Sequence, residues 1–156
     1  MAAPTITHII CTSALITLII AMPVFYFYVV DNITVEMIER ELKEVTDYVS
    51  SSLGNLFLLA NSTKSDVVLA KKLDLPSSIR DSTYYLEIVY DLEDGIAQYV
   101  EAILQDSSGV RADSLILPGP KVDPGNTTVV EVSEKPVVAN CVRENSGIYV
   151  WLEVEE

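Results

Sequence analysis

Histidine is almost absent from this chain, and its scarcity excludes several classes of active site. The single histidine among the 156 residues is His8, near the start of a long apolar run. Ser-His-Asp and Cys-His catalytic sites and His-based zinc sites all need a histidine. The rest of the chain has none to supply. The six glycines are scattered singly and form no phosphate-binding loop. We therefore predict that the chain is not an enzyme and has no catalytic residue, metal ligand or cofactor.

Positive charge is scarce as well. The chain has 10 Lys and Arg residues against 23 Asp and Glu residues, a formal net charge of -13 at pH 7. Nucleic acids and anionic lipid surfaces carry the same sign of charge and repel such a protein. The charged share of 21% is too low for a disordered acidic tail and fits a packed domain. We expect no nucleic-acid partner.

The two cysteines are not expected to cross-link the fold. Cys11 lies in the apolar run and Cys141 in a strand-like segment far downstream, so we expect no disulfide between them. The length of the chain fits a membrane helix plus one globular domain of about 95 residues, a size that can bury its own core. Stability is therefore expected to come from packing.

The apolar run extends from Ile6 to Val30 without a single Asp, Glu, Lys or Arg. As a helix, about 25 residues would span roughly 37 Å, which is enough to cross a bilayer. Aromatic residues cluster at 25–28, where their rings favour the level of the headgroups. Because the run is too long for a signal h-region and has no clean cleavage site, we favour an anchor over a cleaved secretory signal.

The orientation of this span is indicated by two opposing signals. Arg40 and Lys43 follow the span, and the positive-inside rule alone would leave the C-terminal part in the cytoplasm. Three sequons, at Asn32, Asn61 and Asn126, are candidate glycosylation sites and favour an extracellular C-terminal part. We follow the sequons.

A helical period continues beyond the apolar run. Apolar residues recur at steps of three and four through Ile38, Leu42, Val45, Val49, Leu53, Leu56 and Ala60. One helix from Ile6 to about Ala60 is therefore predicted, with i,i+4 pairs from Glu36 to Arg40 and from Glu39 to Lys43. The mean step of about 3.7 does not favour a left-handed dimeric coiled coil. These apolar residues from Ile38 to Ala60 form a stripe along one face of the helix. This apolar stripe must be covered by the chain's own downstream domain or by neighbouring copies.

Small or weakly polar residues recur at helical spacing inside the apolar run. Cys11, Ala14, Thr17 and Ala21 would let another helix approach closely. Alternatively, the Ser and Thr hydroxyls of this region simply bond back to their own helix. Both interpretations remain open, and Pro23 is expected to bend or loosen the helix nearby.

Residues 61–156 are predicted to form a β domain, because the period changes to two after a loop at 61–65. Lys121–Asn126 should be irregular, and Asp94-Gly95 should form a hairpin turn. Ile96–Gln105 is predicted as a strand, with a helix as the alternative. Trp151, on a face of mixed character, is expected to be buried. The other predicted strands are Asp66–Leu75 (or a connector), Thr83–Leu92, Ser114–Leu117, Thr127–Val132, Val137–Arg143 and Ile148–Glu155.

Six or seven short strands of this kind favour an antiparallel sandwich or a strongly curved sheet. The predicted fold class is α+β, with a long N-terminal helix at 1–60 and a C-terminal antiparallel β-sandwich-like domain at 61–156. The apolar half of the helix covers 6–30 and the amphipathic half covers 31–60.

This architecture resembles that of type IV pilins, especially archaeal pilins and archaellin-like filament subunits. The resemblance covers the whole chain and depends on Ile6–Ala60. The segment Leu73–Ile79, leading into Thr83–Ile88, is also similar to the entry into the β domains of such archaeal proteins. Thr5 stands where many bacterial pilins have Glu.

The resemblance implies a structural subunit of a cell-surface filament, with helices bundled in the core and β domains outward, often glycosylated. The implied partners are copies of this chain, the membrane before assembly, and an envelope or surface-layer protein. The alternative is a single-span, membrane-anchored extracellular binding module, such as a pseudopilin or a stator-like accessory protein of an archaeal filament machine. The residues predicted to pack between helices are Cys11, Ala14, Thr17, Ala21, Ile38, Leu42, Val45, Val49 and Leu53.

Overall fold

In the part of the chain that the structure describes, one long helix precedes eight short strands. The computed structural model describes residues 3–63, 65–105, 109–123, 125, 128–144 and 147–155. The predicted α+β class, a long N-terminal helix followed by antiparallel-rich sheets, is confirmed. The elements are α1 (Ala3–Ser62), β1 (Val67–Leu73), β2 (Tyr84–Tyr90), β3 (Ala97–Leu104), β4 (Arg111–Leu115), β5 (Lys121–Val122), β6 (Val129–Val132), β7 (Val137–Glu144) and β8 (Gly147–Val154).

The chain forms two compact units, Met1–Met37 and Ile38–Glu156. We call them the N-terminal unit and the C-terminal unit. The boundary lies inside α1, so the part of the amphipathic half from Ile38 onward belongs to the same unit as all the described strands. The domain boundary predicted from the sequence, between residues 60 and 61, separates helix from strands. That division stays a prediction.

The strands of the C-terminal unit form two four-stranded sheets. The first has the order β1-β7-β8-β5 and the second has the order β4-β3-β2-β6. All paired strands are antiparallel except β5 and β8, which are parallel. Alternate side chains point inward, so Tyr84, Leu86 and Ile88 of β2 and Val150 and Leu152 of β8 are fully buried. The two inner faces share one core.

The amphipathic half of α1 completes this core and covers the free edge of β4. The apolar stripe of α1 is buried in the same cluster as the inner faces of the sheets. Lys43 Nζ and Ser50 Oγ donate hydrogen bonds to the main-chain carbonyls of Asp113 and Leu115. These bonds occupy main-chain acceptors of an edge strand that would otherwise be open to pairing with another chain.

The helix is also tied to the first sheet. Lys71 Nζ on β1 donates to Ser52 Oγ at 2.9 Å and lies 5.1 Å from the centroid of the Tyr48 ring. Arg143 Nη1 donates to the carbonyls of Ala60 and Asn61, both at 3.0 Å. Arg143 therefore satisfies carbonyls in the last turn of α1 and places a positive charge at the negative end of the helix dipole.

Several local predictions are wrong. Lys121–Val122 forms the strand β5 inside the segment expected to be irregular, which brings the number of strands among the described residues to eight. Lys43 pairs with Asp47 at 3.1 Å rather than with Glu39, because its ammonium also reaches the carbonyl of Asp113 on β4. The helix includes Asn61 and Ser62, which were expected in a loop.

Ala97–Leu104 is a strand, which excludes the helical alternative for the segment 96–105. Its predicted alternation fails at one end, because the register against β2 shifts between Val89 and Tyr90. Ala97 is therefore buried and Gln98 is exposed, as expected for a β-bulge. The predicted turn at Asp94-Gly95 is present, and Gly95 has a φ of 67°. The sequence also predicts turns at Ser107-Ser108-Gly109 and Asn145-Ser146-Gly147, and Ser107, Ser108, Asn145 and Ser146 lie outside the described residues.

We predict that a fragment of residues 38–156 folds and that a fragment of residues 61–156 does not. The six larger apolar side chains of the α1 stripe contribute about 1.5–3 kcal/mol each, so their combined loss of about 9–18 kcal/mol is as large as the roughly 5–15 kcal/mol that stabilises a typical domain. Urea denaturation followed by circular dichroism should show a cooperative transition for the longer fragment alone. A cooperative transition of the shorter fragment at the same urea concentration would contradict the assignment of the stripe to this core.

A second prediction concerns Gly119, whose φ is 131° and whose added Cβ would lie 2.7 Å from Cζ of Phe57. Gly119→Ala should lower the free energy of unfolding by about 2–4 kcal/mol, from backbone strain and overpacking. Gly125→Ala is the matched control, because its added Cβ would meet Asp123 Oδ1 at an ordinary 3.5 Å. Equal urea midpoints for the two variants would show that Phe57 does not hold this loop.

Two buried titratable groups make the core sensitive to high pH. Cys141 is fully buried, and burial raises the pKa of its thiol from 9.0 to about 11. Tyr84 is also fully buried, donates its hydroxyl to the carbonyl of Pro76 at 2.8 Å, and has a phenol pKa raised well above its ordinary 10.0 by burial. Both groups stay protonated in the folded chain at a pH where the unfolded chain releases their protons.

The stability contributed by these two groups should therefore be complete below about pH 9 and should be lost as the pH rises above it. Urea midpoints of the full chain in detergent, measured from pH 7 to 11, should fall above pH 9. The fall should be shallower in a Tyr84→Phe, Cys141→Ala double variant. An identical slope in the double variant and the natural chain would contradict this origin.

Candidate helix-packing surface

From His8 onward, where the structure describes side-chain burial, the N-terminal unit exposes almost all of its apolar side chains. From Ile9 to Phe27 the large apolar side chains are 55% to 70% exposed, Ile16 and Leu18 being the least and Phe25 the most exposed. The most apolar 18-residue window of α1 has a mean hydropathy of 2.2, and none of it is buried. By length and composition, α1 is able to cross a membrane.

The hydroxyl groups in this segment bond to their own helix. Thr12 Oγ1 donates to the carbonyl of His8 at 2.7 Å, Ser13 Oγ to that of Ile10 at 2.9 Å, and Thr17 Oγ1 to that of Ser13 at 2.9 Å. The back-bonding alternative raised from the sequence is therefore correct for these hydroxyls. As a result, they need no polar neighbour when the segment enters an apolar environment.

One face of the segment is lined by small residues. Ala14, Thr17 and Ala21 lie along a groove whose larger lining side chains are Leu18, Met22 and Phe25. Cys11 is an exposed free cysteine three residues before Ala14, on the same helical face. The four residues predicted for helix packing in this half are thus exposed together, and their packing against a second helix stays a prediction.

The other five residues assigned to helix packing lie in a different environment. Leu42, Val49 and Leu53 are fully buried, and Ile38 and Val45 are each 6% exposed. All five pack in the core of the C-terminal unit. The assignment to packing between copies does not hold for them, because the chain's own strands cover this part of the stripe. The periodicity of the sequence alone could not distinguish burial by the chain's own strands from burial by a neighbouring copy.

The aromatic residues at 25–28 lie at the end of the apolar run. Tyr26 and Phe27 make an edge contact with ring centroids 6.2 Å apart, and both are exposed. Beyond them, Asn32 Nδ2 donates to the carbonyl of Tyr28 at 2.9 Å. Asn32 and Asn61 are exposed residues of α1, whereas the third sequon, Asn126, lies outside the described residues. Glycosylation of the three stays a prediction.

Several residues that hold α1 to the sheets were not found from the sequence. Asp47 is one of them: a hydrogen bond from Ser114 on β4, together with Lys43, lowers the pKa of its carboxyl. Ser50, Lys71 and Arg143 also escaped notice, since their partners lie 19 to 83 residues away in sequence. No local spacing could have identified these pairs.

A second concave site lies on the outer face of the first sheet. Tyr149 and Trp151 on β8, Val142 and Glu144 on β7, and Asp123 after β5 line a pocket of about 320 Å³, which we call the outer pocket. Trp151 is half-buried here, so the expected burial is only partial. Asn140, opposite Trp151 in the register, donates to Glu153 Oε2 at 3.2 Å.

In the described part of the chain, no group of three or more His, Cys, Asp or Glu side chains is placed to hold a metal ion. Comparisons with protein-family models, with curated proteins and with solved structures found no match to this chain. The resemblance to type IV pilins therefore stays a prediction from the sequence.

Proposed function

We propose that this chain is a structural subunit of a type IV pilus-like filament on the cell surface. In this proposal the N-terminal units of many copies bundle in the filament core, and the C-terminal units face outward. Each chain is held in the membrane by its N-terminal unit before it joins the filament. The main partner is therefore another copy of the chain.

The observation that carries this proposal is the contrast between the two halves of α1. The apolar stripe from Ile38 to Ala60 is buried by the chain's own strands, whereas the large apolar side chains from Ile9 to Phe27 are all more than half exposed. An apolar surface of this extent needs lipid or other protein around it. The face formed by Ala14, Thr17 and Ala21 favours close contact with another helix.

A membrane-anchored extracellular binding module is the second candidate. It is favoured by the hydroxyls of Thr12, Ser13 and Thr17, which are satisfied within the helix and so allow a lone helix in lipid. Its C-terminal unit would then dock to an envelope protein or to a component of a filament machine.

Electron microscopy of surface appendages from cells that express the chain tests the proposal. Filaments should contain the chain, and Ala14→Leu or Ala21→Leu should reduce their number by about tenfold, because overpacking costs about 1–3 kcal/mol at a close helix contact. Membrane insertion of these variants should be unchanged. Ile16→Phe is the matched control, because it enlarges the roughly opposite face of the helix.

Recovery of the natural chain only as dispersed membrane monomers would refute the filament role and favour the binding module. Filaments that form equally well with Ala14→Leu, Ala21→Leu and Ile16→Phe would keep the filament role but refute close packing on the small-residue face.

A further inference from the structure

The outer pocket combines aromatic rings with negative charge. Tyr149 and Trp151 are alternate residues of β8 and lie on the same outer face, while the carboxylates of Asp123 and Glu144 also line the pocket. Lys121 of β5 is paired with Tyr149 in the register and brings one positive charge close to the pocket. Two carboxylates against one ammonium leave this site with a net negative charge.

Aromatic rings beside carboxylates suit an ammonium or guanidinium group. A cation is attracted to the face of a Trp or Tyr ring, and a carboxylate adds a charge-assisted hydrogen bond. Trp and Tyr are also the residues that most often dominate the binding energy of a protein interface. The chemistry of the outer pocket therefore favours a Lys or Arg side chain of a protein partner.

Few positive side chains of this chain remain free to fill such a site. Among the described lysines and arginines, only Arg40, Lys121 and Lys135 have no hydrogen bond or ion pair. Arg40 lies on α1 among Glu39, Glu41 and Glu44, whose negative charges compete for it. Lys135 is exposed in the turn between β6 and β7, and Pro136 restricts the backbone directly after it.

Lys135 and the outer pocket lie at opposite ends of one strand. Lys135 precedes β7 by two residues, and Glu144 is the last residue of β7. At about 3.3 Å per residue, nine residues of extended chain separate them by about 30 Å, so one copy cannot bring them together. Open helical filaments are built from head-to-tail contacts that join two different surfaces of neighbouring copies, so the Lys135 end of one copy and the pocket end of the next are able to form such a contact.

We propose that the Lys135 ammonium of one copy docks in the outer pocket of the next copy, against Tyr149 and Trp151 and between the carboxylates of Asp123 and Glu144. This contact depends on the proposed self-assembly and adds a link between C-terminal units to the packing of the helices. Copies that each carry a net charge of -13 repel one another, so a complementary pair of this kind also gives the assembly its register.

A charge-swap experiment on the full chain tests this contact. Lys135→Glu and Glu144→Lys should each raise the critical concentration for assembly about tenfold or more, measured by sedimentation and electron microscopy. The Lys135→Glu, Glu144→Lys double variant should assemble again. A mixture of the two single variants should also co-assemble, because each supplies the charge that its neighbour then matches.

Two further variants control for folding and net charge. Lys135→Arg should assemble normally, and Arg40→Glu, which changes the net charge as much as Lys135→Glu does, should leave assembly unchanged. Circular dichroism should show that every variant is folded. Folded Lys135→Glu chains that assemble like the natural chain would overturn the docking contact alone, as would a double variant that fails to recover. Natural chains that never assemble would overturn both the filament role and this contact.

Discussion

The apolar surface of α1 is the constraint on which the rest of the molecule depends. A single helix carries apolar residues from its first described turns to Ala60. Those in its second half are buried by the chain, and those in its first half are exposed. In the C-terminal unit, two sheets bury the stripe and form one core with it. In the N-terminal unit, no described side chain buries the apolar window of the helix. Lipid or another protein must therefore shield it from water. The two halves of the helix therefore differ in whether the chain itself covers their apolar side chains.

Scarce positive charge shapes the C-terminal unit just as strongly. Lys43, Lys71 and Arg143 are committed to contacts between α1 and the two sheets, where they satisfy carbonyls, a hydroxyl and an aromatic ring. Each of these contacts joins residues that are remote in sequence. Each therefore positions the helix against the sheets and does not determine whether the helix forms. A chain with ten Lys and Arg residues that uses several of them internally leaves a strongly acidic outer surface. Any association between such surfaces then depends on a few well-placed cations.

The two candidate functions share the same anchor and differ in what surrounds it. Hydroxyls that bond within the helix make the apolar half tolerant of lipid, and small residues on one face make it suited to another helix. A subunit that waits in the membrane and later joins a bundle needs both properties. A permanent anchor needs only the first. Close packing at Ala14 and Ala21 is therefore the property that distinguishes the two roles.

Sequence reasoning predicted the elements formed by local patterns. The uncharged run, the three-and-four spacing from Ile38 and the alternation around Tyr84 each depend on residues close in sequence, and the helix and most strands followed from them. The bulge at Gln98 and the two-residue strand β5 did not, because pairing with a distant strand creates them. Nor did the sequence decide whether the chain's own strands or another copy would cover Leu42, Val49 and Leu53.

The sequence by itself determined that α1 would be long, apolar at its start and striped afterwards, since a helix places residues three and four apart on one face whatever surrounds it. Only the tertiary structure decided where the stripe is buried, which carbonyls Lys43, Ser50 and Arg143 reach, and that Tyr149, Trp151, Asp123 and Glu144 meet in one pocket. The physical reason is that burial and long-range hydrogen bonds depend on which segments meet in space, and local spacing carries no information about that.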